Sequence, residues 1–103
     1  MHMKDDRHIL VLDIGKTHIN LAVLDGHLRE IHGAQCSNET LSGEPYDHYD
    51  INAIWDWFCT RCREITSSVE IRAVNVTTHG ATAALVGPES SGNGLALPVL
   101  DYE

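Results

Sequence analysis

A chain of 103 residues, 43% hydrophobic and 21% charged, has the balance of one globular domain, long enough for a modest core but not for a deep two-lobed cleft. Fifteen acidic against seven basic residues give a formal charge of −8, a field that repels nucleic acid and anionic membrane. An anionic ligand would need local compensation from a cation, a metal or backbone amides.

The first residues, "MHMKDDRHILVLDIG", do not have the form of a secretory signal, because the apolar run 9–12 is short and Asp13 interrupts it. No apolar run approaches the length of a membrane span. Three cysteines, an odd number, argue against a closed disulfide framework and favour a reducing compartment, so a cytosolic protein is the expectation.

Residues 8–12 form a nearly continuous apolar run, as in a central strand covered on both faces. Residues 19–24 read as a second strand with Ile19, Leu21 and Val23 on one face, followed by Asp25-Gly26, a dipeptide favoured in tight hairpin turns. Residues 28–34 make a weaker third strand, and the short connections imply an antiparallel meander. The turn formers of "SNETLSGEPYDHYD", 37–50, predict a surface loop. Asp50 is placed to N-cap a helix from 51 to about 67, with Ile51, Ile54, Trp55, Phe58, Cys62 and Ile65 as its buried stripe. On that phasing Trp55 belongs to the core and Trp57 to the opposite face. "IRAVNVT", 71–77, has the β-branched content of another buried strand. A short apolar segment, 81–86, follows His79-Gly80, then a loop, "GPESSGNG", and a strand-like run, "LALPVLDYE", without turn or cap.

Three meandering strands, a helical crossover and a strand parallel to the first make the opening half of a ribonuclease H-like α/β fold. Such a sheet normally carries helices on both faces, and only one helix is visible, so the chain reads as cut short.

The bend "DIGKT" offers several chemical functions at one place. Gly15 permits a tight turn and close approach of a ligand to the backbone. Successive amides in such a turn can cradle phosphate oxygens, Lys16 adds a flexible point charge, and the Thr17 hydroxyl can donate to a phosphate oxygen. Asp13, at the end of an apolar strand, is suited to hold Mg²⁺ through water. The spacing alone fits an ordinary hairpin with an exposed lysine better, and it is not a Walker A loop, because a strand rather than a helix follows Thr17.

"VLDIGKTHINLAVLDGHL" resembles the first phosphate-binding hairpin of the actin-like ATPase superfamily, and "VNVTTHGATAALV" with "GLALPVLDYE" narrows the resemblance to carbohydrate kinases of the FGGY family, over nearly the whole chain. The resemblance implies that residues 1–103 are the N-terminal part of the first actin-like lobe of an enzyme that transfers the γ-phosphoryl of ATP to a hydroxyl of a sugar, ketose or sugar alcohol. It implies that Asp13 organises Mg²⁺ and that Gly15, Lys16 and Thr17 line the β- and γ-phosphates. It further implies that His79, Gly80 and Ala81 border the sugar and that Asp101 hydrogen-bonds a sugar hydroxyl. Many family members carry Thr where this chain has Lys16. The family's general base, second phosphate loop and adenosine pocket would lie beyond residue 103, so this chain alone is expected to be inactive.

Other readings stay open beside this one. A kinase-derived fragment could bind a sugar, a nucleotide or a partner without chemistry, and the apolar edge left by an absent lobe suggests association with a second copy. A metal or redox module could use Cys36, Cys59 and Cys62, but "CTRC" falls late in the predicted helix, where the dipole does not favour a thiolate, and no second CxxC completes a zinc set. Of the seven histidines only His79 stands out, at the end of a strand in "TTHG".

Overall fold

The computed structural model describes residues 7–80, 83–88 and 94–101. Strands β1 (His8–Ile14), β2 (His18–Leu24) and β3 (Glu30–Ser37) form the antiparallel meander, and β6 (Ile71–Thr78) returns parallel to β1, giving the sheet order β3-β2-β1-β6. Between β3 and β6 lie the two-residue strands β4 (Thr40–Leu41) and β5 (His48–Tyr49), which pair with each other, and helix α1 (Ile51–Thr66). This is the mixed α/β arrangement expected from the order of elements.

The period-two pattern decides the core. Leu10 and Leu12 of β1 and Ile19, Leu21 and Val23 of β2 are buried on one face, where Ile54, Trp57, Phe58, Cys62 and Ile65 of α1 pack against them. Asp50 caps α1 as expected, its Oδ1 accepting from the Ala53 N–H at 3.1 Å. At the other end, the Ile65 carbonyl accepts from the Ser68 and Val69 amides, which closes the helix and turns the chain toward β6.

Several expectations need correction. The third strand begins at Glu30 rather than 28, because the preceding turn is longer than a two-residue hairpin. The Asp25 carboxylate accepts from the His27 and Arg29 amides at 2.8 and 3.0 Å, and the positive φ of the turn, 63°, falls on Leu28. These backbone hydrogen bonds, that from Arg29 foremost, hold the Asp25 carboxyl below its usual range. The loop 37–50 contains the β4–β5 pair. β6 is a strand but not a buried one: Val74 and Val76 are more than half exposed, because β6 is the sheet's edge and α1 packs over β1 to β3.

Trp55 is also no core residue. It is 62% exposed, and Trp57 takes the inward place. Apolar residues surround much of α1, so sequence phasing alone could not choose between them. The run at 95–101 makes only isolated bridges, Val86 with Leu95 and His48 with Leu100. It lies beside β5 as a strap, with the Tyr49 N–H donating to the Val99 carbonyl and the Tyr46 hydroxyl to the Pro98 carbonyl.

Candidate functional site

β1 and β2 are joined by the three residues 15–17, and the Gly15 N–H donates to the His18 carbonyl at 2.9 Å. A Cβ at Gly15 would stand 2.8 Å from that same carbonyl oxygen, so the turn closes this tightly only with glycine. Asn38, just past β3, fastens the turn from one side: its backbone N–H donates to the Thr17 carbonyl and its Nδ2 to the Gly15 carbonyl, both at 2.9 Å. Asn38 is 7% exposed, and its Oδ1 is buried without a hydrogen-bond partner. Leaving that acceptor unsatisfied is unfavourable, a cost set against the two hydrogen bonds that Asn38 donates to the turn.

Asn38 was not among the residues singled out from sequence, where it was one polar residue in a loop. The register offers the missing signal: His18 faces Ser37, so the next residue along β3 stands opposite Thr17.

Asp13 is exposed, between Asn20 of β2 and Thr77 of β6 in the sheet. His79 follows β6, its N–H donating to the Ile14 carbonyl at 2.9 Å and its ring meeting Tyr49 edge-on, with centroids 5.5 Å apart. Gly80 comes next and is exposed. Ala81 lies outside the described residues. Asp101 arrives on the strap 95–101, its N–H donating to the Asp47 carbonyl, and its Oδ1 stands 3.5 Å from Lys16 Nζ. The Thr17 hydroxyl lies 3.0 Å from His18 Nδ1.

The 15–17 turn, Asp13, His79 and Asp101 thus collect at the carboxyl ends of the parallel pair β1 and β6, the end at which open α/β sheets bind ligands. Beside them, an apolar groove of about 380 Å³ runs between α1 and β6, with Leu12, Ile14, Trp55, Val76 and His79 in its walls.

Charge is distributed unevenly about this sheet. Among the described residues Lys16 is the one lysine or arginine at the site's end. Arg7, Arg29 and Arg72 flank the other ends of β1, β3 and β6, and Arg61 and Arg63 lie in the last turns of α1, which lead there.

No group of three or more His, Cys, Asp or Glu gathers to hold a metal among the described residues. The single carboxylate of Asp13 suits a cation that brings most of its oxygen ligands with it, as Mg²⁺ does when bound to phosphates and water. Cys36 and Cys62 do not have the surroundings of activated thiols. Burial pushes the Cys36 and Cys62 thiols up, with Cys59 adding to the effect on Cys62, whereas a reactive thiol needs the reverse. No helix among the described residues is long and apolar enough to cross a membrane.

No protein-family model matches the chain, and no curated protein sequence matches it. Solved structures do. A carbohydrate kinase from Novosphingobium aromaticivorans superposes with a TM-score of 0.78 at 23% identity, over 91% of this chain and 19% of its own. The chain thus shares the mixed α/β fold of a part of that kinase. A gluconate kinase from Lactobacillus acidophilus gives 0.70 at 13% identity, over 91% of this chain and 19% of its own. Plasmodium falciparum glycerol kinase with ADP gives 0.68 at 13% identity, over 97% and 21%. The chain spans about a fifth of the length of these kinases.

Proposed function

We propose that this chain is the first part of the first lobe of a cytosolic, FGGY-type carbohydrate kinase, and that its share of the reaction is to bind polyphosphate and to border the sugar. The full enzyme would move the γ-phosphoryl of ATP to a hydroxyl of a sugar, ketose or sugar alcohol, the hydroxyl proton passing to a base beyond residue 103. On this reading Gly15, Lys16 and Thr17 receive the β- and γ-phosphates. Asp13 orients the water shell of a Mg²⁺ that offsets triphosphate charge when bound. His79, Gly80 and Ala81 border the sugar, and Asp101 accepts from one of its hydroxyls.

The observation that carries this reading is the meeting of Lys16 and Asp101, from distant parts of the sequence, at the carboxyl ends of β1 and β6. Phosphoryl transfer is mainly positioning and charge stabilisation, and a phosphate loop beside a polyol acceptor is the half of that arrangement a chain of this length can supply. An amide-resolved NMR titration with Mg·ATP tests it. Shifts concentrated at residues 13–17 are expected, and a well-dispersed spectrum without them overturns the phosphate assignment. Measurable sugar phosphorylation by the isolated chain would contradict the placement of the general base.

A further inference from the structure

We propose that Lys16 couples the phosphate site to the polyol site: Asp101 and an incoming phosphate compete for its ammonium, so polyphosphate binding draws Lys16 away from Asp101 and makes that carboxylate a better acceptor for a hydroxyl. The proposal rests on the functional reading above and adds a sequence of events to it.

Three observations support the competition. Lys16 is the one lysine or arginine at this end of the sheet among the described residues, so a polyphosphate finds its main compensating charge already facing a carboxylate. The 3.5 Å separation exceeds the 2.7–2.9 Å of an optimal charge-assisted hydrogen bond, and the side chains are 31% and 20% exposed. A pair of that kind is weak enough for a multiply charged anion to displace. Both backbones are anchored, the turn by Asn38 and Asp101 by the Asp47 carbonyl, so the exchange is one of side chains, made by a swing of the flexible lysine stem. A threonine at position 16 could reach phosphate but could not form this ion pair.

The coupling is reciprocal by linkage: whatever engages Asp101 also releases Lys16 to phosphate. Removing the Asp101 charge should therefore strengthen phosphate binding, and only while Lys16 is present.

The test is titration of the chain with Mg·tripolyphosphate at low ionic strength, using wild type, D101N, K16M and the double variant, with E70Q, at the other end of the sheet, as a control for net charge. D101N should bind about three-fold more tightly than wild type and E70Q should not, the size expected from releasing one partly exposed pair. K16M should bind more weakly, and adding D101N to it should change nothing further. In wild type the Asp101 amide and carboxylate resonances should move on saturation, and in K16M they should stay. Binding by wild type that D101N leaves unchanged or weakens overturns the coupling and leaves the phosphate reading standing. Absence of binding by every variant overturns both.

Discussion

The Nδ2 of Asn38 donates to the carbonyl of Gly15 across 2.9 Å, joining the residue after the third strand to the turn between the first two. Because the Asn38 amide also holds the Thr17 carbonyl, one buried residue fixes both ends of the turn. Asn38→Ala should lower stability by about 1–2 kcal/mol, the usual effect of losing a buried hydrogen bond and orphaning its partner. Asn38→Asp should be worse, since it sets a carboxylate against a carbonyl oxygen. Chemical denaturation measures both, and an Ala variant as stable as wild type would refute the clamp.

The two tryptophans should behave oppositely. Trp57→Ala should destabilise by about 2 kcal/mol, less than for a fully buried aromatic, and Trp55→Ala should stay within about 0.5 kcal/mol. In single-tryptophan variants the emission of Trp55 should be red-shifted and readily quenched by acrylamide, and that of Trp57 shielded. Equal quenching would contradict the placement of α1.

Leu28 holds a left-handed φ of 63° while 68% exposed, so its side chain gains little burial to offset the backbone strain. Leu28→Gly should raise stability by about 0.5–1 kcal/mol, read as a higher denaturation midpoint at constant slope. An unchanged or lower midpoint would argue against strain there.

Raised thiol pKa values at Cys36 and Cys62 mean that the fold favours the protonated thiols. Their contribution to stability is complete below the ordinary thiol pKa and fades as pH climbs through the raised folded value. Alkylation of these two cysteines should be several-fold slower in native protein than in denaturant at mildly alkaline pH. Rapid native labelling, site by site in mass spectrometry, would point back to a reactive thiol.

Much of the fold could be read directly from residues. Alternation at Ile19, Leu21 and Val23 set the inward face of β2, and Asp50 set the start of α1, because both signals are local. Elements that depend on what lies next to them were harder. β6 has the composition of a buried strand, yet exposure depends on sheet order and on which strands the helix covers. Trp55 and Trp57 differ only in the side of α1 that meets the sheet. At the site, the chemistry-bearing residues of the 15–17 turn could be named from sequence, whereas Asn38 acts through register, and pairing supplies that information. The Lys16–Asp101 contact likewise depends on where the strap 95–101 lies.

The topology also sets an order of assembly. β1, β2 and β3 meet through short connections, so they can zip together soon after collapse. β6 reaches β1 only across the whole of α1 and the loop before it, and the strap bearing Asp101 docks on β5 rather than on the sheet. The candidate site is therefore built from the earliest part of the fold on one side and the latest on the other. Transient opening should part it along that seam, with amides of β6 and the strap exchanging before those of β2. Whatever occupies the site would then act as a rivet between early and late structure, and its presence should be felt most strongly in the amides that open first.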